Sequence, residues 1–351
     1  MSDNENIEGQ FVGAPSASLA TATNIVDQCA HAGLVPFIKG SPGLGKSAIV
    51  HAFANKHNLE LIDLRLSQCD PTDLQGFPST EGGRSTYAPP SYIPLASDEK
   101  PANKTGWLLF LDEFNSADRS VQRAAYKLVL DRMVGQHHIH KNVVMVCAGN
   151  LDDDNAITEE LSSALQSRLV HLKTHVDLNE WLEWARNSNV DTRVTSFLSF
   201  KPELLHKFDP DSPDVTYPCP RTWEFVHKYM KNKTGLTDAD RIALGGMIGQ
   251  GAATEFDAFL DVHQSLPQLK DILANPETLK VPDEPSVLYA LTGALGAGAN
   301  DKNLTDMVKF IARMPIEFTI TTFREICSRN KDLAQHQAIT TWKLNNTHIL
   351  G

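Results

Sequence analysis

The sequence predicts an α/β fold, in which a mostly parallel sheet flanked by helices is followed by an all-helical region. Short apolar runs alternate with helical patterns in the first half of the chain, and runs such as residues 107–111 and 143–148 are apolar at every position. Strands of this kind are typical of parallel sheets that helices cover on both faces. After about residue 177 the helical periodicity continues without strand patterns.

The same patterns predict the individual elements. In the first half we expect strands at residues 34–38, 59–66, 107–111 and 143–148, and helices at residues 17–32, 47–59 and 120–134. In the second half we expect helices at residues 178–185, 222–232, 238–260, 286–295, 303–313 and 318–333. Residues 79–103 are rich in Gly, Pro and Ser, which predicts loops or a hairpin.

These elements predict three parts of the chain. We expect a disordered N-terminus over residues 1–15 and an α/β domain over residues 16–176. A helical domain with a C-terminal helical extension is expected over residues 177–351.

The charge and composition limit the classes of partner. The chain of 351 residues carries a formal net charge of −11, which argues against a surface that serves mainly as a nucleic-acid footprint. A local basic channel that contacts nucleic acid stays open. No apolar run approaches the roughly 18 residues that a membrane-spanning helix requires, so we expect no membrane partner.

The cysteines and the N-terminus indicate a reducing compartment. The five cysteines are odd in number and form no C-x-x-C pair, which argues against a disulfide framework or a zinc site. Residues 1–10 are polar and acidic, so they do not resemble a signal peptide. We expect a cytoplasmic protein, or one in the host cytoplasm if the genome is viral.

A glycine-rich octapeptide follows the first predicted strand and opens the next helix. It reads Gly40, Ser41, Pro42, Gly43, Leu44, Gly45, Lys46 and Ser47, and it matches the phosphate-binding pattern G-x-x-x-x-G-K-[ST]. Backbone N–H groups and a helix N-terminus at such a place favour an anion. We expect Lys46 to reach the β- and γ-phosphates of ATP and Ser47 to bind Mg²⁺. The alternative is an ordinary glycine-rich turn between a strand and a helix.

Two carboxylates follow the apolar run of residues 108–111. Asp112 and Glu113 therefore lie at the carboxyl end of a predicted buried strand, which is where ligands bind in open α/β sheets. Asp112 is the expected partner of Mg²⁺, and Glu113 is the expected general base for an attacking water. The alternative is a solvated acidic loop.

Taken together, residues 15–240 resemble the AAA+ ATPases, and within them the MoxR-like group. The resemblance implies a P-loop NTPase fold with an all-α lid domain. It also implies that Asn150, at the tip of the strand 143–148, is the family's sensor 1, which positions the lytic water. The alternative for Asn150 is a turn residue that ends a strand.

Two arginines acquire roles from the same resemblance. Arg168 corresponds to the arginine finger that reaches the nucleotide of a neighbouring subunit, although Leu169 stands where the family usually has an aromatic residue. Arg221, which follows Pro220, corresponds to sensor 2 and would contact the γ-phosphate from the lid domain. The alternative for each is a surface arginine.

Other polar clusters have simpler explanations. His137, His138 and His140 could suggest a metal site, but a polar hairpin before the strand 143–148 is the better interpretation. The acidic run of residues 152–154 is typical of a solvated turn. Arg119 and Arg123 could serve a subunit interface, line a channel or form solvated ion pairs.

The leading hypothesis is Mg²⁺-dependent ATP hydrolysis by an oligomeric ATPase that remodels a protein partner. A finger that acts in trans requires a homo-oligomeric ring, and the resemblance implies a hexamer. It also implies a partner that carries a von Willebrand factor A domain. The alternatives are a DNA-directed motor or helicase-loader-like protein, and a nucleotide-gated assembly scaffold without catalysis.

Overall fold

A computed structural model describes residues 14–151, 159, 161–212, 214–264 and 266–346. The chain divides into two compact units, of which the first runs to Asp177 and includes Asp209–Asp211. The second comprises Leu178–Phe208 and the chain from Ser212 onward. The predicted disordered N-terminus lies outside the described residues except for residues 14 and 15, and the acidic run 152–154 also lies outside them.

The first unit alternates strands and helices. Its strands are β1 (Ser16–Ala17), β2 (Val35–Lys39), β3 (Leu59–Arg65), β4 (Phe77–Glu81), β5 (Arg84–Ala88), β6 (Gly106–Asp112), β7 (Met133–Val134), β8 (His137–His138), β9 (Val143–Gly149) and β10 (Leu169–Thr174). Its helices are α1 (Leu19–Ala32), α2 (Lys46–Lys56), α3 (Pro71–Gln75), α4 (Arg119–Asp131) and α5 (Ser163–Gln166), with short 3₁₀ turns at Leu66–Gln68 and Phe114–Ser116.

Six of these strands form one parallel sheet in the order β1-β10-β2-β9-β6-β3. The central strands β6 and β9 are buried along almost their whole length, as their apolar sequences predict. The remaining strands form two antiparallel hairpins, β4–β5 and β7–β8. The predicted α/β fold class is therefore confirmed, and the main sheet is parallel throughout.

Helices cover both faces of the sheet. Successive strand residues point to opposite sides, and the central strands carry apolar side chains on both sides, so each face needs a covering layer. On one face Leu108 and Phe110 pack into a core with residues of α1 and α2, such as Phe53. On the other face Leu109 and Leu111 pack into a core with the apolar side of α4. Because all six strands are parallel, their carboxyl ends lie at a single edge of the sheet.

Two predictions for the first unit need correction. The helix predicted at residues 120–134 ends at Asp131, because Arg132 has a φ of 52° that cannot continue a right-handed helix. Strand β10 was not predicted, since His171 and Lys173 interrupt its apolar pattern. It nevertheless pairs with β2 along five residues and lies between β1 and β2.

The regular secondary structure in the described residues of the second unit is all helical, with no strand. The helices are α6 (Leu178–Asn187), α7 (Thr192–Phe200), α8 (Pro220–Met230), α9 (Asp238–Ile248), α10 (Gln250–Gln264), α11 (Leu269–Ala274), α12 (Pro285–Gly298), α13 (Leu304–Ile311), α14 (Ile316–Arg329) and α15 (Gln337–Asn345). No helix in the described part of the chain is long and apolar enough to cross a membrane.

The single helix predicted at residues 238–260 is wrong, because the structure has two helices there. Gly249 lies between α9 and α10 with a φ of 80°, and its N–H donates to the carbonyl of Gly245. Glycine adopts this positive φ readily because it carries no Cβ that would clash, and α9 ends at this residue.

Candidate active site

The glycine-rich loop joins the carboxyl end of β2 to the first residue of α2. Gly43 and Gly45 have φ values of 80° and 105°, which residues with a Cβ rarely adopt. Gly45 is the N-cap residue of α2 and has no side chain that could cap the helix. The N–H groups of the first turn therefore suit an anion, as at other helix N-termini.

Lys46 directs its ammonium group back over this loop. Its Nζ donates to the carbonyl of Gly40, to the carbonyl of Ser41 at 3.2 Å and to Oδ1 of Asn150 at 3.3 Å. The side chain is half-buried. A cation held within a loop of backbone N–H groups is suited to the charge of a nucleotide triphosphate.

Ser47 and Asp112 form a pair of oxygen ligands beside Lys46. The Ser47 Oγ lies 3.5 Å from Oδ2 of Asp112, although Ser47 is in the first turn of α2 and Asp112 ends β6. Mg²⁺ prefers oxygen ligands and is commonly held by one or two protein oxygens together with substrate phosphates. The hydroxyl and carboxylate therefore fit a Mg²⁺ site.

The environment of Asp112 also favours a cation. Burial raises the pKa of its carboxyl group, and the nearby carboxylates of Glu113 and Asp63 act in the same direction. The backbone N–H of Glu113, which donates to Asp112 Oδ1 at 2.8 Å, and the charge of Lys46 partly oppose this shift. Because burial disfavours the charged carboxylate, a cation beside it would be stabilising.

Glu113 has an unusual backbone conformation. Its φ of 55° and ψ of 35° lie in the left-handed region, which non-glycine residues seldom occupy outside turns and functional sites. Its carboxylate accepts a hydrogen bond from the hydroxyl of Ser67. Ser67 follows β3, which pairs with β6 and ends opposite Asp112. Sequence reasoning missed Ser67, because its contact depends on that strand pairing.

Asn150 completes the cluster at the carboxyl edge of the sheet. It directly follows β9, the neighbour of both β2 and β6, and is half-buried. Its contact with Lys46 brings together two residues that are 104 positions apart. The structure thus gathers Lys46, Ser47, Asp112, Glu113 and Asn150 at one edge, where the sequence predicts them.

Arg168 lies away from this cluster within its own chain. It is exposed and immediately precedes β10, whose first residue, Leu169, pairs with Val35 at the start of β2. The glycine-rich loop begins after the other end of β2, which is roughly 17 Å further along at 3.3 Å per residue. The guanidinium of Arg168 donates to the carbonyl of Ala164 and to Ser167 Oγ, both in its own segment.

Arg221 belongs to the second unit. It is exposed in the first turn of α8, directly after Pro220. The imidazoles of His137, His138 and His140 form no metal site with other ligands, since the described residues contain no group of three His, Cys, Asp or Glu suited to a metal.

Comparison with known proteins shows that part of the chain matches the model of a protein family. Residues 37–173, which run from β2 into β10, match the model of the ATPase family associated with various cellular activities, or AAA. No curated protein matches the sequence.

Several solved structures resemble the chain, with low sequence identities and low TM-scores. They include a mutant of RuvB from Thermotoga maritima, with 14% identity, a TM-score of 0.34 and coverage of 93% of this chain and 90% of that one. A presumed ATPase from Cytophaga hutchinsonii has 14% identity, a TM-score of 0.34 and coverage of 93% and 87%. NtrX from Brucella abortus has 14% identity, a TM-score of 0.33 and coverage of 95% and 69%. Residues 37–173 thus match the AAA family, and the chain has the P-loop fold of AAA+ proteins, with a helical region after the parallel sheet.

Proposed function

We propose that this protein is a Mg²⁺-dependent ATPase of the MoxR-like group, which assembles into a ring and remodels a protein partner. The observation that carries the proposal is the cluster at the carboxyl edge of the sheet. It combines a phosphate loop, a pair of oxygen ligands, a carboxylate and an amide within one unit. These are the groups that hydrolysis of a bound nucleotide triphosphate requires.

Each side chain has a separate task in this reaction. Lys46 and the glycine-rich loop hold the phosphates of ATP, and Asn150 orients the attacking water. Glu113 accepts a proton as the water oxygen forms a bond to the γ-phosphorus, while the bond to the β–γ bridging oxygen breaks. ADP and inorganic phosphate result. Mg²⁺, held by Ser47 and Asp112, would neutralise phosphate charge.

The location of Arg168 supports an oligomer. Because it lies at the opposite end of β2 from the glycine-rich loop, it is poorly placed to serve the site of its own chain. It is exposed, so a neighbouring subunit could receive it. An arginine supplied in this way would stabilise the charge of the transition state. A homo-oligomeric ring follows, and we propose a hexamer.

Arg221 and the partner complete the proposal. Arg221 would act as sensor 2 by contacting the γ-phosphate from the helical lid domain, and its exposure leaves the guanidinium accessible. For the partner we propose a protein that carries a von Willebrand factor A domain. The net charge of −11 favours a protein over nucleic acid.

Turnover of ATP in the presence and absence of Mg²⁺ tests the proposed function. We expect the purified protein to release phosphate from ATP, and excess chelator to lower this rate by at least about a hundredfold, because charge neutralisation by the metal is worth several kcal/mol. Restoring Mg²⁺ should restore the rate. Binding of ATP without phosphate release would instead favour a non-catalytic scaffold. Stimulation by DNA with a steep salt dependence would favour a DNA-directed motor.

Mixed assemblies test whether Arg168 acts in trans. We expect Arg168→Ala and Glu113→Gln each to be inactive alone, because every site in either assembly lacks one group. Mixing the two proteins should restore part of the phosphate release, since some interfaces then join an intact Glu113 to an intact Arg168.

The control for this experiment is Arg84→Ala, which removes another exposed arginine from the hairpin β4–β5. It should retain the activity of the unaltered protein. If Arg168→Ala is as active as Arg84→Ala, or if mixing restores nothing, Arg168 is not a finger that acts between subunits.

A further inference from the structure

The side chain of Asn115 makes two hydrogen bonds to the backbone of Asn150, and we call this arrangement the clamp. Asn115 Nδ2 donates to the carbonyl of Asn150 at 2.9 Å, and the backbone N–H of Asn150 donates to Asn115 Oδ1 at 3.1 Å. Both polar groups of one peptide residue are therefore bound by one primary amide. Asn115 is only 1% exposed, so water scarcely competes for these bonds.

The end of the sheet explains why Asn150 needs such a partner. On one side of β9 the last pair with β6 joins Cys147 to Leu111, and on the other side the last pair with β2 joins Gly149 to Lys39. Asn150 lies beyond both ladders and has no strand partner among the residues that the structure describes. The amide of Asn115 supplies the donor and the acceptor that a neighbouring strand would otherwise offer.

The packing around this clamp leaves little freedom. A Cβ on Gly149 would lie 2.1 Å from Asn115 Oδ1, so only glycine fits at that position. The carbonyl of Asn115 in turn accepts a hydrogen bond from the backbone N–H of Glu159 at 2.6 Å. The position of Asn115 is therefore fixed by its own contacts, and its two hydrogen bonds in turn fix the backbone of Asn150.

We infer that Asn115 is a positioning residue for Asn150, and the inference rests on the proposed hydrolytic role of Asn150. The clamp holds the peptide of residue 150, while the contact of Asn150 Oδ1 with Lys46 Nζ at 3.3 Å sets the orientation of its side-chain amide. Since Lys46 can only donate, the oxygen of that amide faces the lysine and its NH₂ group remains a donor for the reaction. A shift of about 1 Å in such a group can cost about a hundredfold in rate.

A double-mutant cycle on the 351-residue chain tests this inference. We expect Asn115→Ala to lower kcat for ATP by about 10- to 100-fold with a nearly unchanged KM, because the glycine-rich loop is untouched. In a protein that already carries Asn150→Ala, the same change should lower kcat by no more than about twofold, since the group that Asn115 positions is gone.

A merely structural role predicts a different outcome. If Asn115 only stabilises the fold, its effect on kcat should be the same with and without the Asn150 side chain. Equal effects in the two backgrounds, or a kcat for Asn115→Ala close to that of the unaltered protein, would overturn the inference. The control is Gln122→Ala, which removes another buried amide, one that donates to the carbonyl of Ala117. Its kcat should stay within about twofold.

Hydrogen exchange gives a readout that does not depend on activity. The backbone N–H of Asn150 should exchange slowly in the unaltered protein and in Gln122→Ala, and at least about tenfold faster in Asn115→Ala. If Asn115→Ala does not fold, Asn115→Asp keeps the shape and the acceptor but loses the donor, and it should also lower kcat. A protein that shows the exchange difference but releases no phosphate would contradict the proposed function and leave the clamp itself standing. Active protein with unchanged exchange would contradict the clamp alone.

Discussion

Replacing Glu113 by glutamine is expected to stop ATP hydrolysis while leaving ATP binding nearly intact. Glutamine has the shape of glutamate but cannot accept a proton from the attacking water. General bases contribute about 10²- to 10⁴-fold to rates, so we expect kcat to fall by that factor. Phosphate release at saturating ATP measures the first effect, and equilibrium binding of a fluorescent ATP analogue measures the second.

The surroundings of Glu113 explain why glutamine should be tolerated. The hydroxyl of Ser67 donates to the Glu113 carboxylate, and the side-chain oxygen of glutamine can accept the same bond. The left-handed backbone at residue 113 is a property of the turn after β6 and does not depend on the charge. The substitution therefore removes the base and leaves the geometry in place.

Lys46→Ala is the matched comparison, because it should fail at the earlier step. The ammonium group of Lys46 bridges the glycine-rich loop and Asn150. Loss of this charge should weaken ATP binding as well as turnover. If Glu113→Gln hydrolyses ATP at the rate of the unaltered protein, the assignment of the base is wrong. If it fails to bind ATP, the substitution has damaged the site and Glu113 has a binding role.

Asp112, Glu113 and Asn150 are site residues that the sequence predicts because each follows the end of an apolar run. In a parallel sheet the carboxyl ends of all strands meet at one edge, so Asp112, Glu113 and Asn150 were expected at the same edge as the glycine-rich loop once their strands were recognised. This inference needs the direction of the strands but not their order.

Ser67 and Asn115 were not predicted, because their contacts depend on which strands are neighbours. Ser67 meets Glu113 since β3 pairs with β6, and Asn115 meets Asn150 since β6 pairs with β9. Local sequence patterns do not encode the order of strands in a sheet. Strand β10 was missed for a related reason, since two polar residues conceal a strand that its pairing with β2 stabilises.

In the helical unit, Glu325→Ala is expected to lower the free energy of unfolding by about 3–5 kcal/mol, the cost of removing one partner from a buried ion pair. The Glu325 carboxylate is 6% exposed and binds two guanidinium groups: Arg186 Nε at 2.5 Å and Arg329 Nε at 2.7 Å. These arginines are 15% and 16% exposed. Removing the carboxylate would leave two like charges together in a poorly solvated place.

This cluster joins α6 to α14, and α12 packs closely against it. A Cβ on Gly296 would lie 2.3 Å from Cγ of Glu325, so the glycine allows the backbone of α12 to approach the aliphatic part of the Glu325 side chain. The loss of Glu325 would therefore affect a region where three helices meet. Urea unfolding of the 351-residue chain, followed by far-ultraviolet circular dichroism, should show a lower midpoint for the transition of the helical unit.

Two further variants separate unpaired charge from lost packing as the cause. Glu317→Ala removes an exposed carboxylate from the first turn of the same helix and should change the free energy of unfolding by no more than about 0.5 kcal/mol. Replacing Arg186 and Arg329 by methionine together with Glu325→Leu removes all three charges at similar volume. Because buried ion pairs often contribute little net stability, this triple variant should recover most of the loss. If Glu325→Ala is no less stable than Glu317→Ala, the arginines find other partners. If the triple variant is as unstable as Glu325→Ala, packing rather than unpaired charge holds α6 against α14.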